Sequence, residues 1–255
     1  MTDIPRFHPR YASLVARERV AAGVKSGFTS SQGLIAQGRG ECFDYLLGEK
    51  TTESAAVATR AAAALLLLAE HPALSVNGNV AALVPEEMVA LADALGALLE
   101  VNLFHRSEER VKKIADLLRA SGATEVLGEN PNAAVSGLEH ARALATRGGI
   151  YDADVVLIPL EDGDRCEALA AMGKKVIAID LNPLSRTARK ATVSLVDNIL
   201  RAVPNLTAQV KELSPLSRSD LEKIVLEYDN ERTLRQAVEE IRNHLQAQFK
   251  EHQRG

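Results

Sequence analysis

The sequence predicts an α/β fold in which a mostly parallel sheet carries helices on both faces, with further helical segments at the N-terminal and C-terminal ends. Short apolar runs rich in β-branched residues alternate with helix-period segments between about residues 71 and 200. On either side of this region the apolar spacing is that of helices alone. We expect a helical segment (1–70), an α/β core (71–200) and C-terminal helices (201–255), packed as one integrated domain.

Three helical patterns precede the core. The first covers residues 9–25, and a Gly/Ser-rich stretch at 26–33 separates it from the second. Gly38-Arg39-Gly40-Glu41 predicts a sharp break within the second pattern, where flanking glycines would present Arg39 to a ligand. A plain helix–helix turn with a solvated arginine explains the spacing equally well. Thr51-Thr52-Glu53-Ser54 then caps a buried Ala/Leu-rich helix that continues to about residue 70.

The core alternates strands with helices. Strands are predicted at residues 73–76, 101–104, 125–127, 154–160, 176–179 and 193–196, and helices at 85–99, after Ser107 and at 165–172. Residues 130–152 have no regular pattern. Beyond residue 198 the chain is predicted helical, with a capping box at Ser219 and Glu222 and a break at 229–230. The amphipathic segment 234–249 either packs on the domain or joins a second subunit.

Polar side chains follow two of the predicted strands at their carboxyl ends, where open α/β sheets bind ligands. Asp180, Asn182, Ser185 and Arg186 follow the strand at 176–179, and Asp197 and Asn198 follow the strand at 193–196. An acidic residue at this point commonly binds a ribose hydroxyl, and a Ser-Arg pair can engage phosphate. Turn preference explains one such strand end, but two adjacent ends with an intervening arginine favour a nucleotide site.

Other strand ends offer weaker candidates. Asn77-Gly78-Asn79 could expose amides to an anion or could form a type I′ turn. The His105-Arg106 pair could bind an anionic substrate, although a histidine at a strand end is more often structural. The chain has neither a P-loop motif nor a GxGxxG fingerprint after a strand, which disfavours an NAD-linked oxidoreductase.

Composition excludes several other classes. A net charge of −4 and a pI of about 5.9 disfavour a general nucleic-acid binder. Cys42 and Cys166 lack metal-site or disulfide-framework spacing, and reduced, intracellular thiols are expected. No signal-peptide pattern is visible and the run at 61–69 is too short to span a bilayer, so we expect a cytoplasmic protein without membrane contact.

Six motifs, in order, closely resemble those of archaeal phosphopantothenate synthetase, also called 4-phosphopantoate–β-alanine ligase. They are HPRY (8–11), GLIAQGRGECFDYLLGE (33–49), VNGNVAALVPEE (76–87), PLEDGDR (159–165), IDLNPLSR (179–186) and VDNI (196–199). The resemblance covers residue 8 to about residue 245. It implies a Rossmann-like sheet, a homodimer, and an ATP-dependent condensation of 4-phosphopantoate with β-alanine. The products would be 4′-phosphopantothenate, AMP and pyrophosphate in coenzyme A biosynthesis. Because a carboxylate reacts with an amine only after its oxygen becomes a leaving group, we expect AMP transfer to give a phosphopantoyl adenylate, with Mg²⁺ stabilising the phosphate charge.

The resemblance also implies site residues. The expected ATP contacts are Arg17, Arg39, Asp180, Leu181, Asn182, Ser185, Arg186, Asp197 and Asn198. Arg17 and Arg39 are the expected catalytic cations, acting on phosphate or acyl-adenylate charge. Independently of the resemblance, the strand-end positions give as candidate substrate residues Asn77, Asn79, His105, Arg106, Asp162 and Asp164, and either aspartate could hold a metal or the β-alanine ammonium group. One departure is Gln37, where family members have histidine; glutamine can replace a hydrogen-bonding histidine but not a proton-transferring one.

A second binding region beside the nucleotide site would distinguish a ligase from a nucleotide-binding regulator. A non-catalytic nucleotide-binding regulator would share the strand-end residues but would lack a second substrate pocket. A ligase acting on a phosphorylated acid needs a second anion site, for which the chain offers Arg10, His105, Arg106, Arg110 and Lys112.

Overall fold

Six parallel strands form one sheet in the computed structural model, which describes residues 4–251 and the side chains of residues 4–249. They are β1 (Pro72–Val76), β2 (Leu98–Val101), β3 (Val126–Leu127), β6 (Val155–Pro159), β7 (Lys175–Ile179) and β8 (Val193–Leu195). Two short antiparallel strands, β4 (Ala133–Ala134) and β5 (Leu144–Ala145), pair separately. The expected α/β fold with a parallel sheet is confirmed.

The sheet order is β3-β2-β1-β6-β7-β8, so the direction of winding reverses between β1 and β6. Without the small β4–β5 pair, this is the 3-2-1-4-5-6 order of doubly wound dinucleotide-binding folds. Ligands in such sheets bind beyond the carboxyl ends of the strands at the reversal point. The strands at 176–179 and 193–196 are neighbours, as expected, with Ile177 opposite Val193.

Eleven α-helices surround this sheet in the described part of the chain. They are α1 (Tyr11–Ser26), α2 (Ser31–Leu47), α3 (Glu53–Leu68), α4 (Gly78–Leu83), α5 (Pro85–Leu95), α6 (Glu108–Ala120), α7 (Gly163–Ala171), α8 (Arg186–Lys190), α9 (Ile199–Leu213), α10 (Arg218–Glu227) and α11 (Asn230–Glu251). A 3₁₀ turn, Ala141–Ala143, precedes β5. None of the described helices is long and apolar enough to cross a membrane.

Strand alternation divides the core between the two sheet faces. Ile177 and Ile179 pack in the larger cluster, which includes side chains from α3, α5, α6 and α9. Val176 and Ala178 point to the other face, where α7 and the segment before β6 cover them. Helices cover both faces of the sheet, as predicted, so a ligand can approach the ends of the strands.

The predicted break at Gly38–Glu41 is wrong, because α2 continues through it. Ser30 caps the start of α2 by accepting the N–H of Gly33 at 3.3 Å, and Gly48 ends it at φ 87°. A helical glycine costs about 1 kcal/mol relative to alanine, a penalty that buried contacts of the helix, such as those of Asp44 and Leu47, can offset. Arg39 is therefore presented by a helix rather than by a loop.

The strand predicted at 101–104 is also misplaced: β2 is Leu98–Val101. The preceding helix ends four residues early because Gly96 adopts φ 62° and the N–H of Ala97 bonds the carbonyl of Ala92. His105 thus lies in the loop beyond β2, four residues past the strand. The other five predicted strands agree with the structure to within one residue at each end.

Two C-terminal details differ from or refine the sequence predictions. The predicted capping box at Ser219 and Glu222 is wrong, because α10 is capped by Ser217, whose hydroxyl accepts the N–H of Asp220 at 3.2 Å. Helix α11 packs on the domain, where Leu234 and Ala237 are buried. Phe249 near its end is 73% exposed.

Candidate active site

A cavity of about 610 Å³ lies at the carboxyl ends of β1, β6, β7 and β8, with α2 as one wall. This volume is in the range of small-molecule and cofactor sites. Of the predicted site residues, the cavity brings together Arg39, Asn77, Asn79, His105, Asp162, Asp180, Leu181, Asn182, Ser185, Arg186 and Asn198. It does not include Arg17, Arg106, Asp164 or Asp197.

Asp180 is the acidic side chain at the end of β7. One carboxylate oxygen accepts the N–H of Asn182 at 3.0 Å, and the other accepts the hydroxyl of Ser185 at 2.5 Å. Ser185 also caps α8 through the N–H of Ala188. Burial raises the pKa of Asp180 above its ordinary value, although these two hydrogen bonds and the charge of Arg39 oppose the shift. The turn thus holds the carboxylate in one orientation at the cavity wall.

Arg39 and Arg186 line the same cavity but differ in their contacts. Arg39 is exposed on α2 and forms no hydrogen bond or ion pair with any described residue. Arg186 pairs with Asp164 at 2.9 Å and with Glu167 at 2.8 Å. The free guanidinium of Arg39 is therefore the better placed of the two to meet the charge of a phosphate.

Arg17 lies on the other side of α2, in a depression of about 440 Å³ that also includes Glu41 and Tyr45. Its Nε donates to Glu41 at 2.9 Å, and this hydrogen bond raises the pKa of Arg17. Gln37 lines both the depression and the main cavity, so the two adjoin along α2. The two expected catalytic arginines thus line two different depressions along α2.

At the end of β8, Asp197 and Asn198 point to different surroundings. Asp197 is buried, accepts the hydroxyl of Thr51 at 2.6 Å and pairs with Arg201 at 2.7 Å. Asn198 borders the cavity, but its amide donates to Asp44 at 2.7 Å and its carbonyl caps α9 through the N–H of Leu200. Asp197 is therefore part of a buried ion cluster with Arg201 and Asp44. Asn198 contacts this cluster through Asp44 and also lines the cavity.

Asn77 and Asn79 occupy the β1 side of the reversal point, where both side chains bond to the backbone. Asn77 donates to the carbonyls of Pro159 and Leu160 at 3.0 and 3.1 Å, and its side-chain oxygen accepts the N–H groups of Asn79 and Val80. The alternative type I′ turn is not formed, since Asn77 caps α4. The side chain of Asn79 donates to the carbonyl of Gly33 on α2 at 2.9 Å. Both asparagines join the elements that enclose the cavity.

A buried ion cluster that the sequence did not reveal lies beneath the β6 end. Glu161 accepts from Arg165 at 2.6 Å and pairs with Arg142 at 2.8 Å, and their side chains are 6% exposed or less. Arg165 also donates to Ser75 at 3.0 Å, and burial lowers its pKa despite the opposing charge of Glu161. Arg142 reaches the cavity, where it donates to Asp162 at 3.1 Å.

Among the five cationic residues considered for a second anion site, His105 and Arg110 line the cavity. Arg110 donates to the carbonyl of Phe28 at 2.8 Å, and burial lowers its pKa. Arg106 instead donates to the carbonyl of Gly128 at 2.7 Å. Lys112 pairs with Asp116, and Arg10 donates to Tyr45. The β2 side of the cavity therefore carries two cationic or titratable groups, separate from Arg39.

Comparison with known proteins gives the family. The profile of the phosphopantothenate/pantothenate synthetase family matches residues 54–244. The chain belongs to this family. Across 96% of its length it is 62% identical to a 4-phosphopantoate–β-alanine ligase of Methanosarcina mazei, covering 96% of that protein. It is 56% identical to the ligase of that name from Thermococcus kodakarensis (96% and 94% of the two chains) and 50% identical to one from Methanospirillum hungatei (95% and 98%).

Membership in the phosphopantothenate/pantothenate synthetase family confirms the resemblance on which the site residues were predicted. The role of each residue remains a prediction. The PLEDGDR motif contains Glu161, two residues beyond β6, but only Asp162 and Asp164 of this motif were predicted as site residues. Arg142 had no comparable signal, since it lies in a segment without regular spacing, 19 residues from its partner Glu161.

Proposed function

We propose that this chain is a 4-phosphopantoate–β-alanine ligase that consumes ATP and releases AMP and pyrophosphate. Its membership in the synthetase family supports the proposal, as do the relatives that carry this name. The observation that carries the proposal furthest is the composition of the cavity, where the unpaired Arg39 and the carboxylate of Asp180 line one space. The adenosine ribose would bind Asp180, and the phosphates would extend toward Arg39.

The reaction has two group transfers. A carboxylate oxygen of 4-phosphopantoate attacks the α-phosphorus of ATP, and the bond from that phosphorus to pyrophosphate breaks. The amine of β-alanine then attacks the acyl carbon, the bond to AMP breaks, and the nitrogen loses two protons relative to its ammonium form. The first transition state places charge on phosphate oxygens, and the second places it on the acyl oxygen and the departing AMP, so fixed cations and dipoles supply most of the stabilisation.

Mg²⁺ is part of the proposal as the counter-ion of ATP. The described residues contain no cluster of three or more histidine, cysteine, aspartate or glutamate side chains suited to a metal. Mg²⁺ bound to nucleotides takes most of its ligands from phosphate and water, with one or two carboxylates from the protein. A nucleotide-bound Mg²⁺ of this kind needs no dedicated cluster of protein ligands.

The acid substrate needs room and cations beyond those used by the nucleotide. His105 and Arg110 on the β2 side supply a candidate site for the phosphate of 4-phosphopantoate. A nucleotide-binding regulator would have no use for this second region, so the cavity favours the ligase. A homodimer and a cytoplasmic location are parts of the same proposal; light scattering of the purified protein tests the first.

The deciding assay omits one substrate at a time. AMP and pyrophosphate should form only when ATP, 4-phosphopantoate and β-alanine are all present. ADP in place of AMP would contradict the adenylation route, because it would indicate an acyl-phosphate intermediate. Equal efficiency with unphosphorylated pantoate would contradict the phosphate site at His105 and Arg110.

A further inference from the structure

Three acidic side chains among the described residues line the cavity, and two of them are already engaged at both oxygens. Glu161 binds Arg142 and Arg165 through its two carboxylate oxygens. Asp180 accepts hydrogen bonds from the N–H of Asn182 and the hydroxyl of Ser185, one at each carboxylate oxygen. The third, Asp162, uses one oxygen to accept from Arg142 and has no partner in the described structure for the other.

The position of Asp162 is set by Arg142. The Arg142 side chain is 6% exposed, whereas that of Asp162 is 48% exposed. Arg142 is fixed in turn by Asn102, whose carbonyl accepts from it at 3.2 Å and whose amide donates to the Arg142 carbonyl at 3.3 Å. Asp162 precedes α7 but makes no side-chain capping bond there. Asp162 lines the cavity, and one of its carboxylate oxygens therefore has no structural task.

The sheet places this carboxylate beside the proposed nucleotide site. Asp162 follows β6, Asp180 follows β7, and the two strands are paired neighbours. Adjacent strands lie about 4.8 Å apart. Because both aspartates also line the same cavity, a ligand bound at Asp162 would share it with a nucleotide bound at the end of β7.

We propose that Asp162 binds the ammonium group of the amine substrate, with Arg142 as the residue that positions the carboxylate. The inference rests on the proposed function, because an amine is required only if the chain forms a carbon–nitrogen bond. A primary ammonium has three donors and suits a carboxylate with a free oxygen. Arg142 partly neutralises Asp162, so the remaining negative charge suits a monovalent ammonium better than a divalent ion.

The test is the dependence of steady-state rate on each substrate in the full-length protein. Asp162→Asn should raise the KM for β-alanine about ten- to a hundredfold, the usual effect of losing a charge-assisted hydrogen bond, and leave the KM for ATP unchanged. Asp162→Glu keeps the charge and should give a smaller rise. Asp116→Asn, at an exposed carboxylate on α6, is the matched control and should change neither value.

Arg142→Lys should raise the KM for β-alanine less than Arg142→Met, as expected of a positioning residue. An unchanged KM for β-alanine in a folded, active Asp162→Asn variant would overturn the inference. A rise in the KM for ATP or in the Mg²⁺ requirement instead would also overturn it, by assigning Asp162 to the metal–nucleotide. If the wild-type protein forms no AMP with all three substrates, the proposed function itself fails, which is a separate result.

Discussion

At the scale of single residues, the arginines around the cavity differ in what their guanidinium groups contact. Arg142 and Arg186 pair with carboxylates, and Arg110 donates to backbone carbonyls. Arg39 alone among the cavity arginines that the structure describes has neither kind of contact. A guanidinium without a protein partner breaks no existing ion pair when it binds a phosphate. Its attraction to the phosphate is therefore not offset by the loss of another contact.

Arg39→Ala should therefore lower turnover by about two to three orders of magnitude, the usual loss when one donor to developing charge is removed. The fold should remain, because alanine is the better helix former and Arg39 is exposed on α2. Turnover and circular dichroism measure the two effects. Arg60→Ala, which breaks an exposed pair with Glu212, is the control and should retain wild-type turnover. Wild-type turnover from folded Arg39→Ala would reduce Arg39 to a solvated surface residue.

At the scale of elements, local patterns predicted five of the six sheet strands, whereas tertiary contacts explain the main exception among the helices, α2. The strand at 176–179 is a buried apolar run bounded by polar turn residues, which leaves little freedom in its ends. Helix α2 stays helical through Gly38 and Gly40 because contacts with residues distant in sequence stabilise it. Asp44, for example, binds Arg201, 157 residues away. The ion clusters around Arg142 and Arg201 were not predictable for the same reason, since periodicity carries no information about partners so far apart.

Arg201 on α9 connects α2 and the end of β8 beside the cavity. It binds Asp44 on α2 and Asp197 after β8, and these carboxylates are 7% and 1% exposed. Arg201→Met would leave both without their cation, at a cost of about 3–5 kcal/mol in the free energy of unfolding, the range for breaking a buried ion pair. Because α2 also carries Arg39, the KM for ATP should rise in parallel.

Urea unfolding and ATP kinetics measure the two effects. Adding Asp44→Asn to Arg201→Met should recover part of the lost stability by removing one uncompensated charge. A change below about 0.5 kcal/mol, the range for ordinary surface substitutions, would show that the cluster is not what holds α2 against β8 and α9.

At the scale of the whole molecule, the sheet reversal assembles one cavity from distant parts of the chain. The strand ends supply Asp162 and Asp180, α2 supplies Arg39, and the segment before β6 supplies Arg142. The larger core cluster likewise joins all three predicted segments, through Ala16, Leu74 and Leu206. We therefore propose that the chain folds as one unit, and that nucleotide and acid bind side by side on a preformed surface.

A site of this kind favours a stepwise reaction, which gives the last prediction. If a phosphopantoyl adenylate forms first, the protein should exchange labelled pyrophosphate into ATP when 4-phosphopantoate is present and β-alanine is absent. The contacts proposed at Asp180 persist in the adenylate after pyrophosphate leaves, so the intermediate would stay bound away from water. Folded Asp180→Asn should lose most of this exchange, because an amide cannot supply the same charge to the ribose hydroxyl. Unchanged exchange in that variant would place the nucleotide at another strand end, and exchange that requires β-alanine would indicate a concerted reaction of all three substrates.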